Sequence, residues 1–174
     1  MADFLGWKDI APEIRGASFL DSPDISMGPR YNYAYQMLYV FDGDGLAEIC
    51  GEPYRLRSGF FCLYGPGDSH MFKNVGRTSL QLGMMNFSWR NEGLEKLAMG
   101  NRAIEKVDEA FYSFCDPRYQ IEGLPAIPFV LNFPKGARSN IERILKDVGR
   151  AFRSSGDPAD RKSTRLNSSH RIRS

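Results

Sequence analysis

Glycine interrupts the middle of this chain at short, regular intervals, and that pattern limits the fold more than any other feature. Gly43, Gly45, Gly51, Gly59, Gly65 and Gly67 fall between apolar runs. Positive φ or close backbone approach suits the ends of short strands that must reverse within a few residues. Between the glycines the segments alternate. Leu46, Glu48 and Cys50 oppose Ala47 and Ile49, and Tyr54-Arg55-Leu56-Arg57 repeats the period of two. Strands this short and this closely spaced predict an antiparallel barrel or sandwich.

The flanking segments read more variously. Residues 1–29 mix Phe4, Trp7, Ile10, Ile14 and Phe19 with Pro12, Gly16, Pro23 and Gly28, and predict an arm with one or two short strands. Tyr31 to Phe41 predicts one strand, closed by a hairpin turn at Asp42-Gly43-Asp44-Gly45. Phe60 to Tyr64 is an apolar strand that stops at Gly65-Pro66-Gly67-Asp68, after which His70-Met71-Phe72 is again extended. Ser79 to Trp89 predicts a long strand with Leu80, Leu82, Met84 and Asn86 on one face and Gln81, Gly83, Met85 and Phe87 on the other. Residues 92–114 favour helix weakly, and three prolines make Leu124 to Pro134 an extended connector. A helix is expected over 139–153: Ser139 and Glu142 fit a capping box, and Ile141, Ile144, Leu145, Val148 and Phe152 form one apolar stripe.

At 174 residues, 42% hydrophobic and 25% charged, the chain is long enough for one domain that buries about two thirds of its unfolded surface. No apolar run approaches the roughly 20 residues of a bilayer span, and Asp3, Lys8 and Asp9 leave no signal-peptide core, so a soluble, cytoplasmic protein is expected. Cys50, Cys62 and Cys115 are odd in number and widely spaced; they read as small buried hydrophobes in a reducing compartment. The formal charge of +2 depends on Arg161, Lys162, Arg165, Arg171 and Arg173. Without 160–174 there are 18 basic and 20 acidic residues, a net of −2, and no electrostatic footprint for nucleic acid. The segment Asp160 to His170 resembles a translated sequencing adapter, which makes 160–174 an expected artefactual, disordered tail and places the end of the gene fragment near Ala159.

Tyr35-Gln36-Met37-Leu38-Tyr39-Val40-Phe41-Asp42-Gly43-Asp44-Gly45, then Gly51 and Tyr54, then Gly59 and Gly65-Pro66-Gly67-Asp68-Ser69-His70, resembles the cupin double motif. More closely, it is similar to the N-terminal effector-binding and dimerisation domain of AraC/XylS-family transcription regulators, well over residues 30–90 and more loosely through the last helix. The resemblance implies a mainly β fold, a cupin-like barrel (double-stranded β-helix or jelly roll) at 30–90, with C-terminal α-helices in the 91–156 part. It implies a bacterial small-molecule sensor for a sugar or small organic effector, forming a homodimer, with DNA contacted only through a helix-turn-helix domain absent from this chain.

Metallo-cupins hold their ion with two His and a Glu from the first motif and a His from the second. Here the Glu position matches Gln36, no His lies among Pro29 to Asn32, and only His70 remains. No metal, no cofactor and no catalytic residue is therefore expected. A metal-dependent cupin dioxygenase or isomerase, and a stand-alone carbohydrate-binding cupin, stay open as alternatives. Inward-facing positions, by the same resemblance, give a candidate effector site of Arg30, Gln36, His70, Phe72, Met84 and Asn86. Each also has a plain structural reading: a solvated Arg30, internally satisfied Gln36 and Asn86, a core His70, and Phe72 and Met84 as packing. Tyr31, Tyr33, Tyr35 and Tyr39 either line a ligand site or pack under the arm and helices. Ile141, Ile144, Leu145, Val148 and Phe152 are the candidate dimer seam, with docking onto the chain's own barrel as the alternative.

Overall fold

The computed structural model describes residues 3–91, 103–104 and 106–154; the expected tail at 160–174 and the first part of the helical expectation at 92–114 lie outside them. The described strands are β1 (Asp3–Leu5), β2 (Glu13–Ser22), β3 (Ser26–Asn32), β4 (Tyr35–Asp42), β5 (Gly45–Ile49) and β6 (Glu52–Leu56). They continue with β7 (Phe60–Tyr64), β8 (His70–Asn74), β9 (Leu80–Ser88), β10 (Ala103–Ile104), β11 (Tyr119–Ile121) and β12 (Phe129–Asn132). Two α-helices are described, α1 (Glu109–Phe114) and α2 (Lys135–Ser154).

Two five-stranded antiparallel sheets, ordered β10-β3-β8-β5-β6 and β12-β7-β4-β9-β2, face each other. Between β3 and β9 the chain changes sheet at every connection except β5 to β6. That alternation is the winding of a double-stranded β-helix, the cupin-like barrel, closed by helical and extended C-terminal segments.

The winding corrects two local expectations. Tyr31 to Phe41 is two strands, because the chain leaves one sheet at Tyr33-Ala34 and enters the other at Tyr35. Likewise Asp42 to Gly45 is a corner between sheets, and the hairpin is the next turn, at Cys50-Gly51, where φ is 53° and 83°. Gly45 shows why that corner needs glycine. A Cβ there would lie 2.8 Å from the Lys73 carbonyl oxygen and 2.9 Å from methyl groups of Leu56 and Leu80.

Alternation sorts each long strand into an inner and an outer face. From β4, Leu38 and Val40 enter an interior cluster with Ala47, Ile49, Leu56, Phe60, Cys62, Phe72, Leu80 and Leu82. Tyr35, on the outer face, packs instead with Leu63, Phe87, Met37, Phe61 and Trp89. Cys62 is buried as expected, but Cys50 is exposed, because it occupies the two-residue hairpin turn.

Three further elements depart from the sequence reading. β2 is a ten-residue strand paired with β9 along its length, so the sheets take in residues assigned to the arm. β12 forms inside the proline-rich connector, pairing at the edge beside β7, where its ladder uses one side only. The last helix starts at Lys135, one turn before the expected Ser139 cap. Tertiary contact explains that extension: Arg138 donates from Nε to the Phe133 carbonyl at 2.9 Å and from a terminal nitrogen to the Ser58 hydroxyl at 3.2 Å.

α2 docks on the outer face of the β12-β7-β4-β9-β2 sheet. Tyr39 donates its hydroxyl hydrogen to Glu142 at 3.1 Å, Lys146 sits 5.0 Å above the Phe41 ring, and a Cβ on Gly149 would meet Phe19 at 2.7 Å. The docking face is thus carried by Arg138, Glu142, Lys146 and Gly149. Of the expected seam, Leu145 lies in the contact; Ile141, Val148 and Phe152 are half-buried on the adjoining flank, and Ile144 is 52% exposed. The apolar stripe is rotated roughly a quarter-turn from the docked face, given about 100° per residue.

Gly45→Ala is expected to destabilise the barrel by about 1–3 kcal/mol, because backbone and two packed methyls surround the added carbon. Gly136→Ala, in α2 with nothing within 4 Å, is expected to be neutral or stabilising by up to about 1 kcal/mol. Urea unfolding of the two variants measures both.

Candidate functional site

The interior is filled with hydrocarbon at one end and opens into a cavity of about 150 Å³ at the other. Strand register makes that division. Gln36 of β4 pairs with Asn86 of β9, Leu38 with Met84, and Val40 with Leu82, so the inward faces change together from polar to apolar along both strands. All six candidate residues, Arg30, Gln36, His70, Phe72, Met84 and Asn86, line this one cavity, joined by Ser18, Met27 and Asn32.

Arg30 and Met27 both face inward although three positions separate them, which strict alternation forbids. The pairing of β3 with β8 accounts for it. Met27 is opposite Phe72 and Arg30 opposite His70, so three steps on β3 match two on β8, and the extra residue resets the phase. The bulge falls at Gly28-Pro29. Gly28 has φ 110°, and a Cβ there would lie 2.5 Å from the Met71 Cβ and 2.7 Å from the His70 carbonyl oxygen, so this position requires glycine.

The polar wall is partly pre-committed. Gln36 Oε1 accepts from Asn32 Nδ2 at 2.9 Å and also from the buried Tyr64 hydroxyl. Two donors on that oxygen fix the amide, and its NH₂ group is left to face the cavity. His70 is buried, with its ring against Tyr64 and Phe72 and Nδ1 3.2 Å from the Asp68 carbonyl, so Nδ1 carries the hydrogen and Nε2 is the acceptor. Burial, with a smaller contribution from the positive charge of Arg30, pushes its pKa down to about 4, so the ring is neutral at physiological pH.

The loop that carries His70 is braced from outside the sheets. Asp68 accepts from the Gly65 backbone N–H at 2.7 Å and from Arg118 at 2.7 Å, and Arg118 also donates to the Pro66 carbonyl at 2.9 Å. Two residues before Arg118, Asp116 accepts from Ser88 at 2.5 Å and forms an ion pair with Arg15 at 3.0 Å, both side chains essentially fully buried. Sequence reasoning missed Arg15, Asp116 and Arg118, because they belong to distant segments with no shared motif. Asp68 alone carried a signal, in Gly-Pro-Gly-Asp.

The tyrosines pack under helices and outer-face aromatics and leave the cavity to other side chains. Tyr33 lies 4.5 Å from Phe111 of α1, Tyr31 6.4 Å from the same ring, and Tyr35 donates to the Pro117 carbonyl at 2.9 Å.

Two other depressions are less suited to hold a guest. The seam under α2 encloses only about 10 Å³, and an outer trough of about 370 Å³ between Trp7 and Phe133 has a wholly apolar wall. A site needs convergent polar groups to orient what it binds.

A divalent metal, which the cupin fold often holds, does not fit this wall. The cavity offers one imidazole, three amides and a guanidinium that repels cations, and among the described residues no three His, Cys, Asp or Glu side chains gather at one point.

No protein-family model and no curated protein matches the chain. Solved structures similar to it include ToxT from Vibrio cholerae O395 bound to (E)-4-(8-methylnaphthalen-1-yl)but-3-enoic acid, at 11% identity over 79% of this chain and 48% of that one, TM-score 0.47. A glyoxylate-induced protein from Pseudomonas aeruginosa, so described, is similar at 15% identity over 67% of this chain and 34% of that one, TM-score 0.39. An RmlC-like cupin with a double-stranded β-helix fold from Methanocaldococcus jannaschii is similar at 15% identity over 42% of this chain and 69% of that one, TM-score 0.38. The chain thus spans about a third of the P. aeruginosa protein and about half of ToxT. No described helix is long and apolar enough to cross a membrane.

His70 also makes stability depend on pH. Its folded pKa lies below the ordinary 6.5, so the unfolded chain binds the proton first as pH falls. Stability is expected to drop by about 3 kcal/mol between pH 6.5 and pH 4, and no further on this account below pH 4. Denaturant unfolding across that range, compared with His70→Gln, isolates the contribution; the variant should lose that part of the slope.

Proposed function

We propose that this domain is the ligand-sensing half of an AraC-type transcription regulator, taking a sugar or small organic effector into the barrel without chemical turnover. The observation that carries the reading is the convergence of Arg30, Gln36, His70 and Asn86 with Phe72 and Met84 on one cavity in the barrel. A wall of a few oriented polar groups beside apolar side chains suits selective binding of a small molecule. Among the described residues the wall has no metal-binding set and no carboxylate to act as general base, which supports binding over catalysis.

Signalling follows as a population shift: an effector with higher affinity for one arrangement of the arm and helices raises the share of that arrangement. Among the described residues β1 pairs only with β11, adjacent in sequence to Arg118, whose clamp holds the His70 loop, so the arm and the cavity share a support. The flank of α2 carrying Ile141, Ile144, Val148 and Phe152 is proposed as the seam of a homodimer, since Ile144 is exposed. DNA contact belongs to a helix-turn-helix domain outside these residues.

Thermal-shift measurement against hexoses, pentoses, short carboxylic acids and amino acids tests the sensor reading. At least one class is expected to raise the melting temperature. That gain should vanish in Ser18→Trp, a substitution at an exposed strand position on the cavity rim. A panel without a stabilising compound, or stabilisation untouched by Ser18→Trp, overturns the reading. Sedimentation of the wild type and of Ile144→Glu tests the dimer separately, with dissociation expected in the variant.

A further inference from the structure

The cavity has a charge that its own walls leave uncompensated. Among the described residues, none that lines the cavity is acidic and Arg30 has no ion-pair partner. Asp68, the acid whose charge is felt by His70 of the wall, is committed to Arg118 at 2.7 Å. A half-buried guanidinium in this position offers five N–H donors and accepts nothing.

Other wall groups add to the same imbalance. The Gln36 carbonyl, the acceptor that a sugar hydroxyl would need, already takes hydrogens from Asn32 and Tyr64, so the amide presents NH₂. His70 has given its Nδ1 hydrogen to the Asp68 carbonyl and retains a single acceptor. A polyol brings a donor with every hydroxyl and would depend for acceptors on His70 Nε2, the Ser18 hydroxyl and the Asn32 and Asn86 amide oxygens, with nothing to match the charge of Arg30, and an amine would meet like charge. A carboxylate brings acceptors only, a negative charge, and the planar geometry that a guanidinium fork matches.

Volume limits the remainder of the guest. About 150 Å³ is the size of a cavity that holds benzene, so a molecule of about six to eight non-hydrogen atoms fills it. Resting on the sensor reading above, we propose that the guest is a small monocarboxylate, its carboxylate on Arg30 with the Gln36 amide as a second donor, and its hydrocarbon part against Met27, Phe72 and Met84.

Isothermal titration of the full chain with butanoate, pentanoate and hexanoate, and with the corresponding primary amides, tests this. Pentanoate is expected to bind about ten-fold or more tighter than pentanamide, since charge-assisted hydrogen bonds to a carboxylate are the stronger. Arg30→Gln should weaken pentanoate by about ten- to a hundred-fold and pentanamide much less, and Arg30→Lys should fall between wild type and Arg30→Gln. The melting curve of each ligand-free variant reports whether it is folded. Failure of all three carboxylates to bind, or pentanoate affinity unchanged in folded Arg30→Gln and Arg30→Lys, overturns the proposal. A neutral amide or pentose that binds at least as tightly as pentanoate, and is lost in Ser18→Trp, overturns the carboxylate assignment while the sensor reading stands.

Discussion

A slip of one residue between β4 and β9 would turn Gln36, Leu38 and Val40 outward and bring Tyr35, Met37 and Tyr39 into the barrel, because side chains alternate with a strict period of two. The observed register, with Gln36 opposite Asn86 and Val40 opposite Leu82, is therefore the constraint on which both the core and the cavity depend. Burying the inner faces of Leu38, Val40, Leu80 and Leu82 fixes it, at about 1.5–3 kcal/mol for each fully buried aliphatic side chain. Once those apolar positions are locked inside, Gln36, Met84 and Asn86 have no choice of face. The packed end of the barrel thus holds its open end in register.

An open end carries a cost that a packed end does not, since polar groups removed from water need partners. The structure meets this by saturating the wall from behind. Tyr64 and Asn32 donate to Gln36, and the Asp68 carbonyl accepts from His70. Farther back, Ser88 and Arg15 both converge on Asp116, in a pair so buried that removing either charge would strand the other. Arg118 then joins that region to the Gly65–Asp68 turn. A rigid frame of this kind is what lets a small cavity present fixed donors to a guest.

Local pattern made some of this legible in advance and could not reach the rest. Alternation in 46–50 and 80–86, with glycine between the runs, was enough to predict an antiparallel barrel or sandwich and to group residues by face, while the inward direction of Gln36, His70, Phe72, Met84 and Asn86 came only from the resemblance to cupins. The same pattern could not separate a corner from a hairpin at Asp42–Gly45, since both ask the same residue types of the chain and differ only in which sheet receives the next strand. Prolines at 125, 128 and 134 hid β12, yet all three flank Phe129–Asn132 and leave its ladder to β7 intact. At α2 the capping signal at Ser139 lost to the anchoring of Arg138 on Phe133 and Ser58, a contact with a segment some eighty positions earlier. The helix's apolar stripe named a face, yet the face that docks is set by Phe19 entering the space above Gly149.

The irregularity at Gly28-Pro29 has an arithmetical consequence. Ser26 and Met27 are tied to Lys73 and Phe72, while Arg30 is tied to His70, with one unmatched residue between the two anchor points. Were the bulge ironed out with that residue kept, the odd count would turn one of the two halves over and either Met27 or Arg30 would point into solvent, whereas deleting the residue would restore even counting with both still inward. The charge inside this barrel thus hangs on one local irregularity that absorbs an odd count, and two chains of nearly identical composition, one bulged there and one regular, could enclose interiors of different sign.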